Sequence, residues 1–97
     1  MPNRSDSFRF TLGQVVATPG AIAACREASR RETYVTVESL ISRHHDCDWG
    51  SADAEANEDG LDGSDMLISI FDVGGTSVWV KTEYDRSVTT VYLPSED

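Results

Sequence analysis

Hydrophobic and polar positions change period along the chain, and each change predicts a different element. Phe8, Phe10 and Leu12 alternate with Arg9, Thr11 and Gly13, and Val15 and Val16 follow. This alternation predicts a strand over residues 8–17 with a break or bulge at Gly13. Thr18-Pro19 then stops it. A threonine oxygen caps an orphan helical N–H and proline lacks the one that would go unsatisfied, so a helix is predicted from Pro19 to about Arg30. Ala21, Ile22, Cys25 and Ala28 share its apolar face, and Arg30-Arg31 suits the negative end of the helix dipole. Val37, Leu40, Ile41 and His44 repeat the helical spacing behind Thr36, a second N-cap, and predict a helix to His44 or His45. Residues 32–35 between the two helices read as a turn or short strand.

Residues 46–65 offer Trp49, Leu61 and scattered alanines as their apolar material. A loop is predicted there, with one short helix over Ser51–Asp59, Ser51 as its cap and Asp53 in its first turn. Beyond it the period falls to two. Met66 to Val73 is nearly continuously apolar, Gly74-Gly75 permits the positive φ of a two-residue hairpin turn, and Thr76 to Tyr84 alternates strictly. Val78, Val80, Thr82 and Tyr84 fall on one face, and Ser77, Trp79, Lys81 and Glu83 on the other. A turn at Asp85-Arg86-Ser87 leads to a strand over Val88–Leu93, ended by Pro94. The expected fold class is α+β: an N-terminal strand, two to three helices, then a three-stranded antiparallel β-meander covered on one face by the helices.

A chain of 97 residues supports one modest core, so one domain is expected over residues 8–97, preceded by a loose polar arm at 1–7. With no apolar run long enough to span a membrane and no signal-peptide pattern in the first residues, a soluble cytoplasmic protein is expected. Cys25 and Cys47 are expected to be free thiols.

Charge adds more than size does. The net charge is −9, unevenly spread: residues 1–45 carry six basic and four acidic side chains, and residues 46–97 carry thirteen acidic side chains against Lys81 and Arg86. Eight of those thirteen lie in one stretch without a base: Asp46, Asp48, Asp53, Glu55, Glu58, Asp59, Asp62 and Asp65. Nucleic-acid affinity rests on Lys and Arg releasing counterions, so direct DNA or RNA binding is disfavoured, whereas a basic groove on another protein is attracted and steered. These eight carboxylates are the candidate partner-binding residues.

Other constellations are weaker. His44-His45-Asp46-Cys47-Asp48 mixes zinc-ligand types but lacks a paired C-x2-C or a second cluster, and Asp53, Glu55, Asn57, Asp59 miss the glycine and the terminal acid of a calcium loop. No metal and no cofactor is expected. His44, Glu83, Asp85 and Arg86 are the residues a ribonuclease-like acid/base set would use. Trp79 shares a strand face with Lys81 and Glu83, which makes it either a latch covered by the acidic segment through Trp49 or a partner-binding anchor.

Leu12-Gly13-Gln14-Val15-Val16-Ala17-Thr18-Pro19-Gly20-Ala21, Asp48-Trp49-Gly50, Ala56-Asn57-Glu58, Val78-Trp79-Val80-Lys81-Thr82-Glu83-Tyr84-Asp85-Arg86-Ser87 and Thr89-Thr90-Val91-Tyr92-Leu93-Pro94 together resemble a family of small acidic proteins carried by bacterial plasmids and phages. The resemblance spans most of the chain after residue 11 and implies a mobile-element origin. This chain departs from it at His44-His45-Asp46-Cys47, where relatives tend to show a single His and a Gly before Asp-Trp-Gly. The leading expectation is an inhibitor of a host nucleic-acid-handling defence complex, anti-CRISPR or anti-restriction, whose acidic surface mimics DNA in a basic groove. The alternatives are a small ribonuclease-like or toxin-like enzyme and a non-catalytic homodimeric adaptor joined through an exposed sheet edge.

Overall fold

Two glycines set the C-terminal hairpin. In the computed structural model, which describes residues 8–31, 34–63 and 65–96, the elements are β1 (Gln14–Ala17), α1 (Pro19–Arg31), α2 (Val37–His45), α3 (Ala54–Gly60), β2 (Leu67–Val73), β3 (Thr76–Thr82) and β4 (Val88–Tyr92). A 3-10 turn follows at Pro94–Glu96. Gly74 and Gly75 both take positive φ, 60° and 89°, and the turn they form puts Val73 opposite Thr76 and carries the β2–β3 pairing to Leu67 opposite Thr82. β3 and β4 are also antiparallel, with Val80 opposite Val91.

The expected three-stranded meander is instead part of a four-stranded mixed sheet, ordered β1-β4-β3-β2, because β1 joins it parallel to β4. Gly13 makes the junction possible. At φ +66° it brings the chain so close to β4 that an added Cβ would collide with the carbonyls of Arg86 and Ser87, and the next amide, Gln14 N–H, donates to Ser87 O at 3.0 Å. The expected strand over 8–17 is therefore regular only beyond Gly13. The expected N-terminal arm lies outside the described residues, as do residues 32 and 33 of the inter-helix turn.

Local capping accounts for the helices. Thr18 Oγ1 accepts from Ala21 N–H at 3.2 Å, as the sequence predicts. The opposite end of the chain completes that cap: Glu96 accepts from the Thr18 hydroxyl at 2.5 Å and from Gly20 N–H at 3.1 Å. Thr36 and Ser39 form a reciprocal capping box on α2. For α3 the cap is Asp53, which accepts from Ala56 N–H, rather than Ser51. Ser51 is drawn elsewhere, its N–H donating to Ile70 O on β2.

α1 and α2 cover one sheet face, burying Ala21, Cys25, Ala28 and Leu40 against Phe71, Val73, Val78, Val80 and Val91. Phe10, Trp49 and Leu67 form a second buried cluster on that face. Ile68, Ile70, Trp79, Lys81 and Tyr92 alternate onto the opposite face, which α3 flanks at β2. Among the described residues no helix is long and apolar enough to cross a membrane.

Candidate partner-binding surface

The acidic segment is built onto the sheet edge. Along β2, the outward N–H and C=O of Ile68 and Ile70 would be open to strand addition. The Asn57 side chain takes the first pair, Nδ2 donating to Ile68 O at 2.7 Å and Oδ1 accepting from Ile68 N–H at 2.9 Å. Main-chain groups take the second: Ile70 N–H donates to Trp49 O at 3.1 Å and Ser51 N–H to Ile70 O at 2.9 Å. Gly50 lies between them at φ +62°, where a side chain would strike Ile70. The predicted loop is thus an edge cap that closes β2.

Arg86 holds the far end of this cap. Its guanidinium donates to Gly60 O at 2.6 Å, Asp65 O at 2.8 Å and Glu83 O at 3.2 Å, so a cation sits on the C-terminal carbonyl of α3. Trp49, buried between Phe10 and His44, donates Nε1–H to Glu58 at 3.2 Å. Trp49 and Trp79 therefore lie on opposite faces of the sheet, and the expected latch between them does not form; Trp79 packs edge-on to Tyr92, with ring centroids 6.1 Å apart.

The eight candidate carboxylates divide by their partners. Asp48 binds Arg43 at 2.8 Å and caps Gly50 N–H, and the arginine holds its carboxyl below the usual range. Glu58 pairs with Arg9 at 2.9 Å. Asp53 caps α3, Asp65 caps Met66 N–H at 2.8 Å, and Asp46 ends α2 through its backbone. Glu55 and Asp59 stand exposed on α3 and pair with no cation among the described residues, and Asp62 is exposed on the turn after α3. Arginine pairs with Asp48 and Glu58, and the segment keeps a negative excess on α3 through Glu55 and Asp59.

The alternative catalytic set is not brought together as one open site. His44 is fully buried. Glu83 pairs with Lys81 at 3.5 Å, Asp85 accepts from the Ser87 hydroxyl and amide within its own turn, and Arg86 is spent on carbonyls.

His44 belongs to a polar chain through the core. It runs from Asp48 O to Ser69 Oγ (3.0 Å), His44 Nδ1 (2.6 Å), from His44 Nε2 to Thr82 Oγ1 (2.9 Å), Thr89 Oγ1 (2.8 Å) and Leu12 O (2.7 Å). Both ends are carbonyls, which only accept. Three hydroxyls and a neutral imidazole bring four protons to five links, so one link carries none; imidazolium would fill all five. Burial opposes that charge most strongly, with His45 and Arg86 adding repulsion, and the pKa is lowered from 6.5 to about 4. His44 is a neutral structural group joining α2, β2, β3 and β4.

Cys25 lies in the core and Cys47 is half-buried; both are free, and burial raises both thiols. Among the described residues no cluster of three or more His, Cys, Asp or Glu is placed to hold a metal ion. Sequence reasoning missed the edge-sealing role of Asn57 and the pairing of Ile70 with Trp79 on the sheet face that Ile68 shares. The available signal was the near-continuous apolar run from Met66 to Val73, which marks a strand apolar on both faces. No protein-family model, curated protein or solved structure matches the chain.

Proposed function

We propose that the protein is a non-catalytic inhibitor that presents its acidic segment to the basic nucleic-acid groove of a host defence complex, of CRISPR or restriction type. Carboxylates standing in for phosphates must be held at fixed positions, because a flexible acidic tail loses affinity to ordering. The observation that carries this reading is the attachment of α3 to the sheet by Asn57, Arg86 and the Trp49–Glu58 bond, with Glu55 and Asp59 left exposed and unpaired with any cation among the described residues. The protein's own excess negative charge adds long-range steering towards such a groove.

The test is capture of a tagged protein from a lysate with intact CRISPR and restriction systems, eluted by rising salt or competing DNA, together with a plaque assay on the same host. Glu55→Lys/Asp59→Lys should abolish capture and protection while circular dichroism stays unchanged, since neither side chain caps or braces the fold. Full protection by that double variant refutes the mimic.

A further inference from the structure

We infer that the cleft between α3 and the outer sheet face is a docking groove for a segment that is both basic and apolar, such as an extended stretch alternating Lys or Arg with a large aliphatic or aromatic residue. This inference rests on the reading of the acidic segment as a partner surface and names what that partner must carry besides charge.

The cleft measures about 310 Å³. Ile68, Ile70 and Trp79 form its floor, Ala52, Ala56 and Met66 its walls, and Asp53 and Asp65 its charged rim. Two described neighbours that could cover it are engaged elsewhere: Asn57 spends its amide on Ile68, and Trp49 is buried on the opposite face. Ile68, Ile70 and Trp79 remain part-exposed and Met66 is 40% exposed. Alternation along β2 and β3 produces this floor, because Ile68 and Ile70 point away from the face on which Leu67 and Phe71 are buried.

Charge selects the occupant. A second copy meeting this cleft with the same face would bring carboxylates against carboxylates, a repulsion that costs association. Asp53 and Asp65 each engage Oδ1 with a backbone N–H, which fixes both carboxylates at the rim, so a side chain entering between them is favoured when cations flank it. Trp79 also offers a ring to an arginine or lysine. Pure electrostatic binding to Glu55 and Asp59 needs no apolar residue in the ligand; this groove does.

The two recognition modes separate in a titration of 15N-labelled full-length protein with two synthetic hexapeptides of equal charge, Lys-Leu-Lys-Phe-Lys-Leu and Lys-Ser-Lys-Ser-Lys-Ser. The first is expected to bind at least about tenfold more tightly, the scale of one buried anchor, and to shift Ala56, Ile68, Ile70 and the Trp79 indole N–H. Ala56→Arg, an exposed helical position where arginine is well tolerated, should remove that preference while the remaining spectrum is preserved. Equal binding of both peptides, with shifts confined to Glu55 and Asp59, overturns the groove and leaves the acidic-surface reading intact. Binding of neither overturns the groove, and the plaque assay then decides the acidic-surface reading by itself. Shifts of the groove residues that grow with protein concentration in the absence of peptide overturn it in favour of a second copy.

Discussion

His44→Gln isolates a conflict in the core between burial and hydrogen bonding. The folded state holds the imidazole proton more weakly than the unfolded chain does, with a pKa of about 4 against 6.5. Unfolding therefore takes up a proton below pH 6.5, and the stability contributed by neutral His44 is complete above that pH and declines as pH falls towards 4. At about 1.36 kcal/mol per pKa unit, the loss reaches about 2.5 kcal/mol by pH 4.5. That is a large share of the roughly 5–15 kcal/mol that holds a small domain together. Glutamine offers one donor and one acceptor to Thr82 and Ser69 and does not titrate. At pH 8 the variant should be less stable by about 1–3 kcal/mol, the cost of imperfectly satisfied buried groups, and the gap should close as the pH is lowered. Urea unfolding at pH 8, 6.5, 5.5 and 4.5 on both proteins measures it. Asp48, Asp85 and Glu96, whose carboxyls are held low by Arg43, Ser87 and Thr18 respectively, lose their contributions in acid in both proteins and cancel in the difference. Parallel stability curves, or a His44 ring that titrates above 6.5 by NMR, would refute the reasoning and show that the proton-deficient chain between Asp48 O and Leu12 O outweighs burial.

The remaining expectations concern the edge cap. Arg86→Gly keeps the positive φ of 60° accessible but removes the guanidinium from Gly60 O, Asp65 O and Glu83 O, leaving Gly60 O and Glu83 O with one backbone donor each, Gly63 N–H and the N–H of residue 86; it should cost about 1–3 kcal/mol in urea unfolding and speed hydrogen exchange in α3 selectively. Asn57→Ala should unseal β2 at Ile68, lowering stability by a similar amount of about 1–3 kcal/mol and producing concentration-dependent association by sedimentation; a monomer of unchanged stability would show that the amide pairing is not needed. Asp53→Ala removes the cap of α3 and should cost about 1 kcal/mol, read as a lower urea midpoint. Asp53→Asn should recover most of it.

Local rules were legible wherever a single residue type decides the backbone. Thr18 and Thr36 announced two helix starts, Gly74-Gly75 the hairpin, and the alternation from Thr76 the buried face of β3 through Val78, Val80 and Thr82, because capping and positive φ depend on neighbours a few positions away. The concentration of carboxylates between Asp46 and Asp65 was equally visible, since charge is a property of composition. Long-range satisfaction was not. That β1 lies parallel to β4 depends on Gly13 meeting the carbonyls of Arg86 and Ser87, and the α1 cap on Glu96 arriving from the other end of the chain. Asn57 reads in sequence as one polar residue in an acidic helix, and only the proximity of Ile68 turns it into an edge seal. His44, Asp85 and Arg86 looked like chemistry because their side chains can do chemistry; folding instead spends them on Ser69, Thr82, Ser87 and three backbone carbonyls. A buried polar group must find a partner wherever the chain passes. The sequence by itself determined the helices, the hairpin and the charge, and the tertiary structure decided which polar side chains are consumed inside the fold and which remain to meet a partner.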